Sequence, residues 1–121
     1  MGFAMWLCLN SAFLSIVEPE QDSEVLRVRA RRKGDIEKVF PEAKVERTPE
    51  RDYLFRAHIR RERVAEAVAE QVAGINYGNF KNSVKNDKLH SAYGSIWSIM
   101  ARLQSSPPYS GVRARRQPGM F

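Results

Sequence analysis

The stretch Val25 to Arg31, "VLRVRAR", alternates between apolar and basic residues, a pattern that fits a half-buried strand and no helix. Successive strand side chains point to opposite faces, so Leu26, Val28 and Ala30 share one face and Arg27, Arg29 and Arg31 share the other. Such a strand needs hydrogen-bonding neighbours and an apolar cover, which together predict an antiparallel sheet with helices on one side.

The neighbours can be read nearby. Phe13 to Val17 reads as a strand that ends at the polar turn "EPEQDSE" with Pro19, so it pairs with Val25 to Arg31 as a hairpin. Val45 centres a brief strand before the turn "TPERD". Tyr53 to Arg60 is the second clear strand, with Tyr53, Phe55, Ala57 and Ile59 on one side and Leu54, Arg56, His58 and Arg60 on the other.

Three segments carry helical spacing. "DIEKVF" puts Ile36, Val39 and Phe40 on one stripe before Pro41 stops it. "RERVAEAVAEQVAG" groups Val64, Ala65, Val68, Ala69 and Val72 opposite Glu62, Glu66 and Glu70, and ends at Gly74. The last runs from Lys88 to about Gln104, with Asp87 as N-cap and Leu89, Ala92, Tyr93, Ile96, Met100 and Leu103 facing a core. The expected fold class is α+β: a small, largely antiparallel sheet of about four strands with helices on one face, in the order β-β-α-β-β-α-α. Residues 1–104 form the expected domain, and residues 105–121, rich in Pro, Ser and Gly, a flexible basic tail.

The apolar start, "MGFAMWLCLNSAFLSIV", reads as core strand and not as a membrane anchor or leader. No Lys or Arg precedes Arg27, Asn10 and Ser11 interrupt the run, and no small-residue cleavage site follows. Trp6 stands where a myristoylation signal needs Ser or Thr. Either Met1 or Met5 can be the start. With 43% apolar and 28% charged residues the chain has the composition of one that folds. Its single Cys8 excludes an internal disulfide and a Cys-rich zinc site, which fits a cytoplasmic protein.

Net charge is +6, and without Arg113, Arg115 and Arg116 of the tail it is +3, so bulk charge argues little for a polyanionic partner. Placement argues more. Residues 1–26 carry only acids, and Arg27, Arg29, Arg31, Arg32 and Lys33 then follow together. With Arg56 and Arg60 on the same open face these form the candidate nucleic-acid-binding set, since guanidinium groups hold phosphates by charge and paired hydrogen bonds. The alternative is an ordinary solvated sheet face, with Glu46 pairing across to the arginines and without the aromatic platform of a single-strand binder.

Enzymatic readings start from His58 and His90, the only histidines, as an acid and base pair in a small nuclease or toxin. Nothing in the sequence brings the two together. Gly74, Gly78 and Gly94 match no phosphate loop, and Cys8 in an apolar strand reads as inert filling, so no catalytic residue, metal or cofactor is expected. "GINYGNFKNSVKND" reads as an ordered loop in which Ile75, Tyr77 and Phe80 plug the core, or as an exposed cluster with Lys81, Asn82 and Lys85. Trp97, off the main stripe of the last helix, is either a second core contact or a protein-binding anchor.

The final "QPGMF" resembles the pentapeptide by which bacterial polymerases and repair proteins dock on the DNA sliding clamp: Gln117, Met120 and Phe121 match, while Pro118 and Gly119 do not. That resemblance implies a clamp contact. From "MWLCLN" through "LRVRARRKGDIEKVFPEAKVERTPERDYLFRAHI" to "INYGNFKNSV" and "HSAYGSIWSIM", about residues 5 to 100, the chain resembles a family of small uncharacterised bacterial proteins, a resemblance that implies no activity or ligand. The expectation is a non-enzymatic adaptor that meets DNA, RNA, the sliding clamp or another nucleic-acid-associated protein. A small mobile-element inhibitor, such as an anti-CRISPR protein binding a host complex, is the alternative.

Overall fold

The computed structural model describes residues 4–110. These divide into two compact units, with the division between Gly78 and Asn79.

The first unit is a five-stranded sheet with two helices. Its strands are β1 (Met5–Cys8), β2 (Phe13–Val17), β3 (Val25–Ala30), β4 (Glu46–Arg47) and β5 (Phe55–Arg60), interspersed with helices α1 (Asp35–Val39) and α2 (Arg61–Ala73). The sheet order is β1-β2-β3-β5-β4, and each neighbouring pair is antiparallel. The α+β class and the antiparallel sheet hold; the strand count rises to five because the apolar start is a hairpin. Asn10 and Ser11 are its turn, closed by the Leu9 N–H donating to the Ala12 carbonyl at 2.9 Å.

One face of the sheet is apolar from β2 to β5, with Arg47 of β4 at its edge. Leu14, Ile16, Val28, Ala30, Ala57 and Ile59 cluster there with Ile36, Val39 and Phe40 of the α1 segment and with Val64 and Ala67 of α2. Phe40 and Leu14 are wholly buried, each stabilising the fold by about 2 kcal/mol through removal of apolar surface from water. The buried face of α2 is rotated from the expected one. Val64 and Ala67 point inward while Ala65, Ala69 and Val72 are exposed, because alanine is acceptable on either face and gives the pattern little direction.

A buried carboxylate ties α1 to the hairpin. Asp35 is 1% exposed and accepts hydrogen bonds from the Phe13 backbone N–H at 3.1 Å and from Arg32 Nε at 3.1 Å and Nη2 at 2.9 Å. Lys38 adds a third charge at 3.8 Å. Gly34 precedes it at φ +92°, a left-handed conformation that allows the chain to turn into α1 and that a Cβ would strain. Farther on, β5 passes directly into α2, and the Arg61 N–H donates to the Glu24 carbonyl at 2.7 Å.

The second unit contains α3 (Phe80–Ser83) and α4 (Asp87–Ala101). The short helix lies within the segment expected as a loop. Ile75 is exposed and so does not plug a core, whereas the Phe80 ring packs 5.6 Å from that of Tyr93. The N-cap of α4 is Asn86, whose side chain accepts the Leu89 N–H at 3.0 Å, in place of the expected Asp87. Leu89 and Tyr93 are buried, but Met100 and Leu103, expected to face a core, are exposed. The tail residues Val112 to Arg116, Gln117, Met120 and Phe121 lie outside the described residues.

Candidate functional site

The face of the sheet opposite the α1 and α2 contacts carries one long cross-strand row. Register places Trp6 opposite Ser15, Ser15 opposite Arg29, Arg29 opposite Arg56 and Arg56 opposite Glu46, so the row crosses all five strands. Beside it runs a shorter row, Val17, Arg27 and His58. These residues share the face because strand alternation sends every second side chain there once Leu14, Ile16, Val28, Ala30, Ala57 and Ile59 are committed to the core.

The centre of the face is the Arg29 and Arg56 pair. Like charges at opposed positions repel, and the carboxylate that offsets them is Asp52, from the turn before β5, where Glu46 was the expected partner. Arg56 Nη2 donates to Asp52 Oδ1 at 2.5 Å, and Arg29 Nη1 lies 3.6 Å from Oδ2. Arg29 Nη2 also donates to the buried Ser15 hydroxyl at 2.7 Å. Both Nε atoms are buried without a hydrogen-bond partner among the described residues.

Tyr53 lies under this cluster. It was expected on the core side of its strand, but β5 begins only at Phe55, and the turn before it sends the ring to the arginine face. The ring is 4% exposed, with the Arg29 guanidinium 4.4 Å and the Arg31 guanidinium 4.0 Å from its centroid. Arg31 Nη1 donates to the Asp52 carbonyl at 3.0 Å. Two guanidinium groups therefore share one aromatic platform and one carboxylate-bearing residue.

Electrostatics follow from this crowding. Loss of water lowers the Arg56 pKa, and Arg27, Arg29 and Arg51 lower it further against the opposing pull of Asp52. Asp52 loses water too, which raises its pKa, but the Tyr53 N–H and the Arg29 and Arg56 guanidinium groups outweigh that and hold it below the usual carboxylate value. Arg27 Nε donates to His58 Nε2 at 3.3 Å on the exposed part of the face.

The remaining sequence candidates are dispersed. Arg32 is turned to Asp35, and Arg60 Nε donates to Glu62 at 2.7 Å at the start of α2. Lys33 is exposed in the turn after β3. Trp97 is half-buried on α4. His58 and His90 belong to different units. Cys8 is exposed at the end of β1 and is not core filling, and partial burial of its thiol pushes the pKa up, away from a thiolate at neutral pH. Among the described residues, no three His, Cys, Asp or Glu side chains form a metal-binding group, and no helix is long and apolar enough to cross a membrane.

An aromatic ledge completes the face. Trp6 is 55% exposed, and its ring meets Phe13 edge to face, with centroids 5.3 Å apart and an interplanar angle of 82°. Trp6, Phe13, Ser15, Asp52 and Tyr53 were not legible as site residues. Recognising Asn10 and Ser11 as a turn would have brought Trp6 and Phe13 to the face by alternation alone. No family model, curated protein or solved structure matches this chain.

Proposed function

We propose that this chain is a non-enzymatic binding protein of the cytoplasm that takes nucleic acid on the arginine face of its sheet. The observation that carries the reading is the opposed pair Arg29 and Arg56, flanked by Arg27 and Arg31 and paired with Asp52. Guanidinium groups fixed in a row on a rigid sheet match the repeating phosphates of a polyanion, and their ordering cost is met in the folded protein rather than on binding. Arg32 and Arg60, tied to Asp35 and Glu62, contribute less; the cations open to a phosphate are Arg27 and Arg31, while Arg29 and Arg56, 13% and 12% exposed, add positive field from beneath.

The test is titration of labelled single-stranded DNA, single-stranded RNA and duplex DNA with the full chain at about 50 mM salt, repeated up to about 200 mM. Binding that weakens with salt, with a slope corresponding to roughly two phosphates and reduced in Arg27→Gln and Arg31→Gln, is expected. Absence of binding to all three at the lowest salt overturns the reading. A nuclease-resistant complex with a host protein, formed without nucleic-acid affinity, replaces it with the inhibitor reading.

A further inference from the structure

Resting on that nucleic-acid reading, we infer that the face selects single strands, with an unpaired base stacking on the exposed indole of Trp6 while neighbouring phosphates lie along Arg27 and Arg31, over the buried charge of Arg29. Trp6 and Arg29 occupy one cross-strand row, separated by Ser15 and hence by two strand spacings, about 10 Å. An aromatic surface and a line of cations are thus held at fixed separation on one face.

Three features favour a base over other uses of the indole. Tryptophan is rarely left in water, yet more than half of Trp6 is exposed although the chain has an apolar core within reach of the same strand. Phe13 meets the Trp6 ring edge to face, which fixes one ring against the other on a rigid strand pair. The ledge also adjoins a strongly cationic centre, the combination by which single-strand surfaces hold a backbone by charge and bases by stacking. In a duplex the base faces are already stacked on one another, so the indole finds nothing to cover.

Fluorescence tests this directly. The chain has two tryptophans, so Trp97→Phe leaves Trp6 as the only indole reporter. Titration of this full-length variant with oligo(dT), oligo(U) and a duplex of equal length should quench Trp6 with both single strands, and the duplex should bind about tenfold more weakly. Trp6→Ala, checked for folding by circular dichroism, should lose about tenfold in single-strand affinity with an unchanged salt slope, and Trp6→Phe should recover most of the loss. Binding to oligo(dT) or oligo(U) without quenching, or duplex affinity equal to single-strand affinity with Trp6→Ala unaffected, overturns the inference and leaves the nucleic-acid reading standing. Absence of binding to every oligonucleotide at low salt overturns both.

Discussion

Arg29 and Arg56 stand directly opposite each other across β3 and β5, two positive charges at paired positions, with side chains only 13% and 12% exposed. Opposed like charges cost stability. Here the cost is offset by Asp52 above, by the Tyr53 ring against Arg29, and by the Ser15 hydroxyl accepting from Arg29. The arrangement leaves the face with more cations than its acids neutralise, and it makes Asp52 the residue through which the charge of the site can be tuned.

Asp52→Asn should therefore tighten nucleic-acid binding. Asparagine keeps an oxygen to accept the Tyr53 N–H, now bonded at 3.0 Å, while the negative charge is lost. An affinity gain of about threefold at low salt is expected, shrinking as salt rises. Measured weakening would mean that Asp52 serves to order the arginines more than it neutralises them.

The same residue gives a pH dependence. Because the folded pKa of Asp52 lies below its ordinary value of 3.8, its stabilising contribution is complete above about pH 4 and is lost as pH falls through the folded value. Thermal melts between about pH 5 and 2 should show a shallower decline for Asp52→Asn than for the wild type. Parallel curves would show that the ion pairs at this exposed carboxylate contribute nothing to folding.

Tyr53 should behave as a platform. Tyr53→Phe keeps the ring beneath both guanidinium groups and should change stability by less than about 1 kcal/mol. Tyr53→Ala empties a buried site and removes both contacts, for a loss of about 3 kcal/mol in denaturant unfolding. Equal losses in the two variants would point instead to the hydroxyl.

How much of this was legible in the sequence depends on how local each cause is. The alternation of Val25 to Arg31 is a period-two property of adjacent residues, so it identified both faces of β3, and the same logic held for Ala57 to Ile59 in β5. Tyr53 escaped it because the chain bends before Phe55, and a kink resets the parity that alternation relies on. Asp35 escaped for another reason. Its partners Phe13 and Arg32 lie on different segments, and an acid beside a helix start reads equally well as an ordinary first-turn residue. The rotated face of α2 reflects alanines at positions 65, 67 and 69, which carry too little hydrophobicity to point a helix.

Asp35 should be the most sensitive charged position in the sheet unit. Replacing it with Ala leaves Arg32 and the Phe13 N–H without their acceptor, at a cost of about 3 kcal/mol, or roughly 10 °C in melting temperature. Asp35→Asn retains one acceptor and should lose less. A melt unchanged in Asp35→Ala would mean that water replaces the carboxylate at no cost.

The two-residue turn at Asn10 and Ser11 acts as a reading frame for the whole surface. One residue inserted there, with the rest of β1 sliding by one register, would swap Leu7 onto the open face and send Trp6 toward Leu14 and Ile16. Length in the turn can change only in steps that preserve parity, and an odd change there would erase the indole from the face without altering a single residue of it.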